Sequence, residues 1–103
     1  AALLISLAGA GVLPAADESV DAYFLKGNEQ LKAKNFDQAV DSYTQVLKLD
    51  PKNEKAYFNR GLAHRANGAR ERAIADFKKV LDLTNDQSLR KQAEDQLKAL
   101  GAQ

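Results

Sequence analysis

The residues able to carry chemistry are few and scattered along this chain. Histidine occurs once, at His64, and cysteine is absent, so the several ligands that a zinc site needs cannot be gathered. His64 falls at a packing position without a nucleophile beside it, which predicts a structural histidine and not a general base. The acidic pair Glu94-Asp95 fits a solvated helix face. The sequence therefore predicts a protein that is not an enzyme and that uses no cofactor and no metal.

The charge of the chain is balanced. It has 15 basic and 14 acidic residues and a formal net charge of +1, which is too weak a field to attract nucleic acid. The basic pairs Lys78-Lys79 and Arg90-Lys91 have no interleaved aromatic residues that would stack on bases. We therefore expect no nucleic-acid partner.

A repeat with a period of 34 residues runs from Tyr23 to Leu83. Such a period is typical of helical arrays, in which each unit buries its apolar face only by stacking on the next unit. The chain is therefore expected to be built from helix pairs. The matching positions are Tyr23-Phe24 and Tyr57-Phe58, Gly27 and Gly61, Ala39-Val40 and Ala73-Ile74, Tyr43 and Phe77, Val46-Leu47 and Val80-Leu81, and Leu49 and Leu83.

Hydrophobic spacing and breaking residues divide the repeat into helices. Tyr23, Gly27 and Leu31 fall four residues apart, on one face of a helix. Pro51 ends a helix because it disfavours helical geometry in the residue before it, and Gly68 supplies a left-handed turn. The predicted helices span 20–34, 37–49, 54–67 and 69 or 70–83.

A different helix is expected after residue 85, where the 34-residue period fails. Apolar residues continue there at helical spacing, with charged residues between them. An array needs such a helix to cover the apolar face of its last unit. The apolar positions are Leu89, Ala93, Leu97 and Leu100.

In spacing and residue types the chain resembles the tetratricopeptide repeat (TPR) family. The pattern of that family has an aromatic or large apolar residue, a small residue, an Ala, a second aromatic and a closing Pro. The resemblance implies an all-α solenoid of helix-turn-helix units. We expect an apolar N-terminal segment at 1–16 and a TPR domain at 17–103. Within that domain, repeat one would span 20–53, repeat two 54–85 and the capping helix 86–100.

The repeated glycines are expected where the two helices of a unit touch. Gly27 and Gly61 recur although glycine inside a helix costs about 1 kcal/mol relative to alanine. We therefore infer that the missing side chain lets the two backbones approach closely. Tyr43 and Phe77 would fill the space between units. On this interpretation Leu at either glycine destabilises the fold strongly, because it overpacks the contact, whereas Ala is nearly tolerated.

The resemblance also implies a site, because TPR proteins usually hold a peptide in the concave groove formed by the first helices of successive repeats. The groove predicted by family position has an apolar strip, two asparagines and several cations. Asp21 and Ala66 occupy two further positions of the same face. The peptide-binding residues would be Phe24, Leu25, Asn28, Leu31, Lys32, Lys55, Phe58, Asn59, Leu62 and Arg65.

One TPR subclass, the co-chaperones that hold the C-terminal carboxylate of heat-shock chaperones, uses two asparagines and several basic residues as a clamp. Asn28 and Asn59 match its asparagine positions. Phe24, Leu89 and Ala93 stand where the clamp has Lys or Arg. Because charge-assisted bonds from such cations hold a carboxylate, the sequence predicts a preference for an apolar segment over an acidic tail.

Residues 1–16 contain no charged residue, and the run ends in small residues. It is similar to the apolar and cleavage regions of a secretory signal peptide. Up to Pro14 it is shorter than the roughly 20 residues that span a bilayer, so the tail of a membrane anchor is an alternative. The chain has no Met, and we expect it to be a fragment of a longer protein. The predicted location is exported or membrane-anchored (periplasm, lumen or cell surface), and otherwise cytoplasmic.

The sequence thus predicts a non-catalytic scaffold module that binds a protein or peptide segment. A membrane tether would lie only before Asp17. The alternative function is self-association into a homo-oligomer, through the groove or through the N-terminal segment, whose apolar run at 1–13 is also a candidate occupant of the groove.

Overall fold

The computed structural model describes residues 16–102, in which all regular secondary structure is α-helical. The five helices are α1 (Ala16–Lys32), α2 (Phe36–Leu49), α3 (Glu54–Ala66), α4 (Arg70–Leu83) and α5 (Gln87–Ala99). They form two hairpins, α1–α2 and α3–α4, and α5 packs on α4. The prediction of an all-α repeat fold is confirmed. The N-terminal segment that the sequence analysis singled out lies outside the described residues, except for Ala16.

The helix ends follow local chemistry. Asn53 accepts a hydrogen bond from the backbone N–H of Ala56 at 2.9 Å and so caps the start of α3. Gly68 has φ +81°, as its predicted role in the turn between α3 and α4 requires. The equivalent turn between α1 and α2 contains Lys34 at φ 64°, a conformation that costs a residue with a side chain. The first helix begins at Ala16, earlier than the predicted residue 20, and ends at Lys32.

Each hairpin is closed by the same contact between a glycine and an aromatic ring. A Cβ atom placed on Gly27 would lie 2.7 Å from the Tyr43 ring, and one on Gly61 would lie 2.8 Å from the Phe77 ring. The predicted close approach of paired helices at the glycines is therefore confirmed. This geometry opposes the expectation that Ala would be nearly tolerated, because both rings are fully buried and have little room to move.

The core continues from one unit into the next. Tyr43 of α2 packs with Ala39 and with Ala63 of the second unit. Phe77 of α4 packs with Leu89 and Leu97 of α5, which are both buried. The outer side of α5 is charged and exposed, so α5 covers the last apolar face, as a capping helix should.

A buried polar cluster also joins the two units. Arg60 of α3 is paired with Asp76 of α4, and its Nη1 donates to the Thr44 hydroxyl of α2 at 3.1 Å. The Nε2 atom of His64 lies 3.8 Å from the Asp76 carboxylate. Burial lowers the pKa of His64, and the cations Arg60 and Arg72 act in the same direction, while Asp76 opposes them. His64 is thus a buried packing residue, in agreement with the structural role predicted for it.

Candidate functional site

A groove of about 410 Å³ lies between α1, α3 and α5. These are the helices that open each unit and the capping helix that follows, so their positions in the array place them side by side. The residues that line this central groove are Phe24, Lys55, Phe58, Asn59, Asp86, Leu89 and Gln92.

The apolar part of the groove is firmly supported from below. Phe24 packs edge-on against Tyr43 at a ring centroid distance of 5.8 Å, and Phe58 packs against Phe77 in the same way at 5.4 Å. Both supporting rings are fully buried. Leu89 of α5 adds an aliphatic wall. Because the rings are fixed by the core, the groove is formed before any ligand arrives, which lowers the cost of ordering on binding.

Two asparagines are hydrogen-bonded beside this apolar surface. The Tyr43 hydroxyl donates to Asn28 Oδ1 at 2.6 Å, and Asn59 Nδ2 donates to the same oxygen at 3.1 Å. Burial raises the pKa of Tyr43 to about 12, although the nearby Asn59 amide favours the phenolate. The Tyr43 hydroxyl therefore keeps its proton at physiological pH. We call the three linked side chains the Tyr43–Asn28–Asn59 relay.

The charges around the groove are sparse. Lys55 is exposed and lies on its edge. Asp86 is already committed as the N-cap of α5, since its carboxylate accepts from the backbone N–H groups of Ser88 and Leu89 at 2.9 and 3.2 Å. Arg65 is hydrogen-bonded to Gln96 of α5. The residues that line the groove include one cation, Lys55, and one anion, Asp86. Their charges balance, so the groove has no strong field to attract a charged ligand.

The structure brings together four of the ten residues predicted for the site. Phe24, Lys55, Phe58 and Asn59 line the groove, and Asn28 reaches it through its bond to Asn59. The groove is therefore lined by fewer of the predicted residues than the sequence analysis expected.

The remaining predicted residues lie elsewhere. Leu31 packs against Ala39, Tyr43 and Ala63, and Leu62 packs against the core around Phe77. Leu25, Lys32 and Arg65 are exposed but do not line the groove. Asp21 and Ala66 are exposed as well.

Three further residues line the groove and were not predicted as site residues: Asp86, the N-cap of α5, and Leu89 and Gln92 within α5. The signal that would have found two of them is the period itself. Positions 34 residues after Lys55 and Phe58 are Leu89 and Gln92. The sequence analysis noted Leu89 only as an apolar capping position and as a position without the clamp cation, whereas in the structure α5 also forms one wall of the groove.

Within residues 16–102, no group of three or more His, Asp or Glu side chains is placed to hold a metal ion. None of the helices in this part of the chain has the length and apolar character needed to cross a membrane.

Comparison with known families decides the relationship of this chain. A family model described as tetratricopeptide repeat matches residues 24–88. The chain belongs to the tetratricopeptide repeat family. Tetratricopeptide repeats are in general non-catalytic modules for protein interaction. The prediction of a binding module agrees with this general role of the family.

Several curated proteins are similar to part of the chain. Human peptidyl-prolyl cis-trans isomerase FKBP4 is 49% identical over 53 residues, which are 52% of this chain and 12% of that protein. Hsp70-Hsp90 organizing protein 1 of Glycine max is 36% identical over 58 residues, 56% of this chain and 10% of the relative. The chain thus matches about a tenth of the length of these relatives.

One solved structure is similar over most of the chain. It is the first TPR of Spaghetti (RPAP3) bound to the HSP90 peptide SRMEEVD, with 22% sequence identity and a TM-score of 0.46. The match covers 82% of this chain and 95% of that one.

Proposed function

We propose that this chain is a non-catalytic binding module whose central groove holds an apolar segment of a partner protein. The observation that carries the proposal is the pair Phe24 and Phe58, two aromatic side chains from successive units that line one groove and rest on buried rings. Fixed aromatic surface supplies binding energy at a low entropic cost. Leu89 continues the apolar surface across to α5.

The groove is proposed to disfavour an acidic C-terminal tail. One relative carries Hsp70 and Hsp90 in its name, and Asn28 and Asn59 match the asparagines of the carboxylate clamp described above. The cations of that clamp would have to replace Phe24, Leu89 and Ala93. Leu89 is 8% exposed and Ala93 fully buried, and both are apolar, so neither position supplies a cation to the groove. The remaining groove cation, Lys55, is exposed and contributes little fixed charge.

Binding measurements on the full 103-residue chain test this proposal. The probes are two families of labelled peptides, one terminally blocked and rich in Leu and Phe, the other ending in a free acidic carboxyl-terminal sequence. We expect the blocked apolar peptides to bind more tightly, with an affinity that changes little between low and high salt because few ion pairs contribute.

Phe24→Ala provides the site variant and Leu25→Ala the matched control, because Leu25 is the next residue of α1 and is 60% exposed outside the groove. Phe24→Ala should weaken binding of the apolar peptides at least tenfold, while Leu25→Ala should leave it unchanged. Circular dichroism melts verify that both variants are folded. Tighter binding of the acidic peptides, or equal losses in the two variants, would contradict the proposal.

The alternative of self-association through the groove or the N-terminal segment is not supported by the comparisons. The prediction that residues 1–13 occupy the groove concerns residues outside the described part of the chain. Light scattering on the full chain over a range of concentrations checks self-association, since a groove filled by a second copy would give a mass that rises with concentration.

We further propose export or membrane anchoring through the uncharged run at 1–16, with cytoplasmic residence as the alternative. Fractionation of the source cells, with detection by an antibody against residues 17–103, tests this location. Recovery only in the cytoplasmic fraction would contradict it.

A further inference from the structure

The inner end of the Tyr43–Asn28–Asn59 relay lies in the core. Tyr43 is fully buried and reaches the edge of the groove only through its hydroxyl. Asn59, at the outer end, lines the groove. A buried residue is therefore connected by two hydrogen bonds to a side chain that a ligand can touch.

The second unit shows that packing does not need this hydroxyl. Phe77 occupies the position 34 residues after Tyr43. Its ring makes the same close contact with a glycine and the same edge-on contact with a phenylalanine. The residue 34 positions after Asn28 is Leu62, which offers no acceptor. The first unit therefore has a phenolic hydroxyl, on Tyr43, together with an amide that accepts from it, on Asn28. The second unit has Phe77 and Leu62 at these positions and lacks both groups.

Hydrogen-bond directionality fixes the orientation of both amides. The Tyr43 hydroxyl donates its single proton to Asn28, so Asn28 must present its oxygen toward the core. The second lone pair of that oxygen accepts from Asn59 Nδ2. The nitrogen of Asn59 therefore faces Asn28, and its oxygen lies on the opposite side of the planar amide. Within the described residues, Asn59 keeps its oxygen as an acceptor and a second N–H as a donor toward the groove.

We propose that Tyr43 is a positioning residue of the groove, which acts through Asn28 to hold the Asn59 amide in one orientation for pairing with a main-chain peptide group of the ligand. A peptide group in the middle of a segment has one N–H and one C=O, which match the acceptor and the donor that Asn59 retains. A terminal carboxylate has only acceptors, so it could pair with the Asn59 N–H but not with the Asn59 oxygen. The inference rests on the proposed function, since it names the part of the partner that the groove recognises.

The first test needs no ligand. The side-chain NH₂ resonances of Asn28 and Asn59 are followed by ¹⁵N-resolved NMR in the wild-type chain, in Tyr43→Phe and in the control Tyr23→Phe, which removes the hydroxyl of a partly exposed tyrosine. Tyr43→Phe should shift both pairs of resonances and speed their exchange with water, and Tyr23→Phe should not. Resonances that are unchanged in Tyr43→Phe would overturn the inference, whether or not any peptide binds.

The second test asks what the held amide recognises. The probe is a terminally blocked Leu- and Phe-rich peptide, compared with versions in which one peptide bond at a time is replaced by an ester, which removes a single N–H. In the wild-type chain we expect one ester position to weaken binding about fivefold, the effect of one hydrogen bond. In Tyr43→Phe the penalty at that position should fall below twofold. Equal penalties in both chains, or none at any position, would overturn the inference.

The outcomes separate this inference from the proposed function. If none of the blocked peptides binds the wild-type chain, the proposed function fails and the claim about ligand recognition fails with it, while the resonances still judge the positioning claim. If Tyr43→Phe does not fold, the double variant Asn28→Leu with Tyr43→Phe copies the arrangement of Leu62 and Phe77 in the second unit. Its Asn59 resonances then replace those of the single variant, and unchanged resonances overturn the positioning claim.

Discussion

Arg60 and Asp76 are joined by two parallel hydrogen bonds, from Nε to Oδ2 at 2.9 Å and from Nη2 to Oδ1 at 2.8 Å. The side chain of Asp76 is 6% exposed and that of Arg60 is 22% exposed. The guanidinium also lies 5.6 Å from the centroid of the Tyr57 ring and donates to Thr44. One side chain of α3 therefore holds α4 within its own unit and α2 of the preceding unit.

Replacing Arg60 with Ala should destabilise the array strongly, because it leaves the buried Asp76 carboxylate without its guanidinium partner. Breaking a buried pair in this way costs about 3 to 5 kcal/mol, and the partial exposure of the guanidinium places the expected loss at the lower end. Urea unfolding provides the measurement, and Arg72→Ala, on the exposed surface of α4, provides the control. A loss for Arg60→Ala no larger than that for Arg72→Ala would show that the pair contributes little.

Gly27→Ala should lower stability, although Ala favours helices. The new Cβ would lie 2.7 Å from a Tyr43 ring that is buried and hydrogen-bonded, and overpacking of this kind costs about 1 to 3 kcal/mol. Gly27→Leu should prevent folding. Thermal melts compare both variants with Lys26→Ala, the exposed neighbour in α1. A Gly27→Ala protein that melts at or above the wild-type temperature would mean that the ring moves aside freely.

Stability should fall as the pH is lowered from 7 to 5 because of His64. Burial holds the pKa of folded His64 below its ordinary value of 6.5, so the folded state favours the neutral imidazole. The stabilisation is present above pH 6.5 and is lost as the pH falls toward the folded-state pKa.

His64→Gln is the matched variant for this pH dependence, because Gln30 occupies the equivalent position of the first unit and accepts a hydrogen bond from Ser42 at 2.6 Å. Urea midpoints of this variant should change less between pH 7 and 5 than those of the wild type. A wild-type stability that increases on acidification would instead mean that attraction to Asp76 outweighs burial.

Leu97→Ala should destabilise the second unit through the capping helix. Leu97 is 4% exposed and packs in the cluster that contains Phe77 and Val80, and such a truncation in a core costs about 2 to 5 kcal/mol. The exposed neighbour Lys98→Ala should change stability very little. If the two variants unfold at the same urea concentration, α5 does not seal the array.

The repeat period predicted much of this fold because it reports which side chains contact one another. Gly27 and Gly61 indicated close helix pairs, and the structure places an aromatic ring against each. The spacing of Leu89, Ala93 and Leu97 correctly predicted the buried side of α5. The sequence could not predict whether a methyl group fits at Gly27, since this depends on a few tenths of an ångström between the new Cβ and the Tyr43 ring.

The site was less accessible from the sequence. Phe24, Phe58 and Asn59, which family position assigned to the groove, line one groove in the structure, because side chains on the same face of successive first helices repeat with the period. The relay that links Tyr43 to Asn59 joins α2 to α3 through α1, and no local pattern indicates such a three-helix contact. The contribution of α5 to the groove was not predicted, because the residue types of α5 differ from those at the equivalent positions of α1 and α3.

Lys34 has a consequence for the order in which this array opens. Its left-handed backbone costs about 1 kcal/mol or more in the first turn, whereas Gly68 makes the equivalent turn without that penalty. Repeat units open in part independently, so the hairpin of α1 and α2 should be the earlier of the two to exchange its amide hydrogens with solvent. Phe24 and Asn28 belong to that hairpin, and a ligand that engages them must hold it closed. A turn residue that does not line the groove would thereby set part of the free energy available for binding.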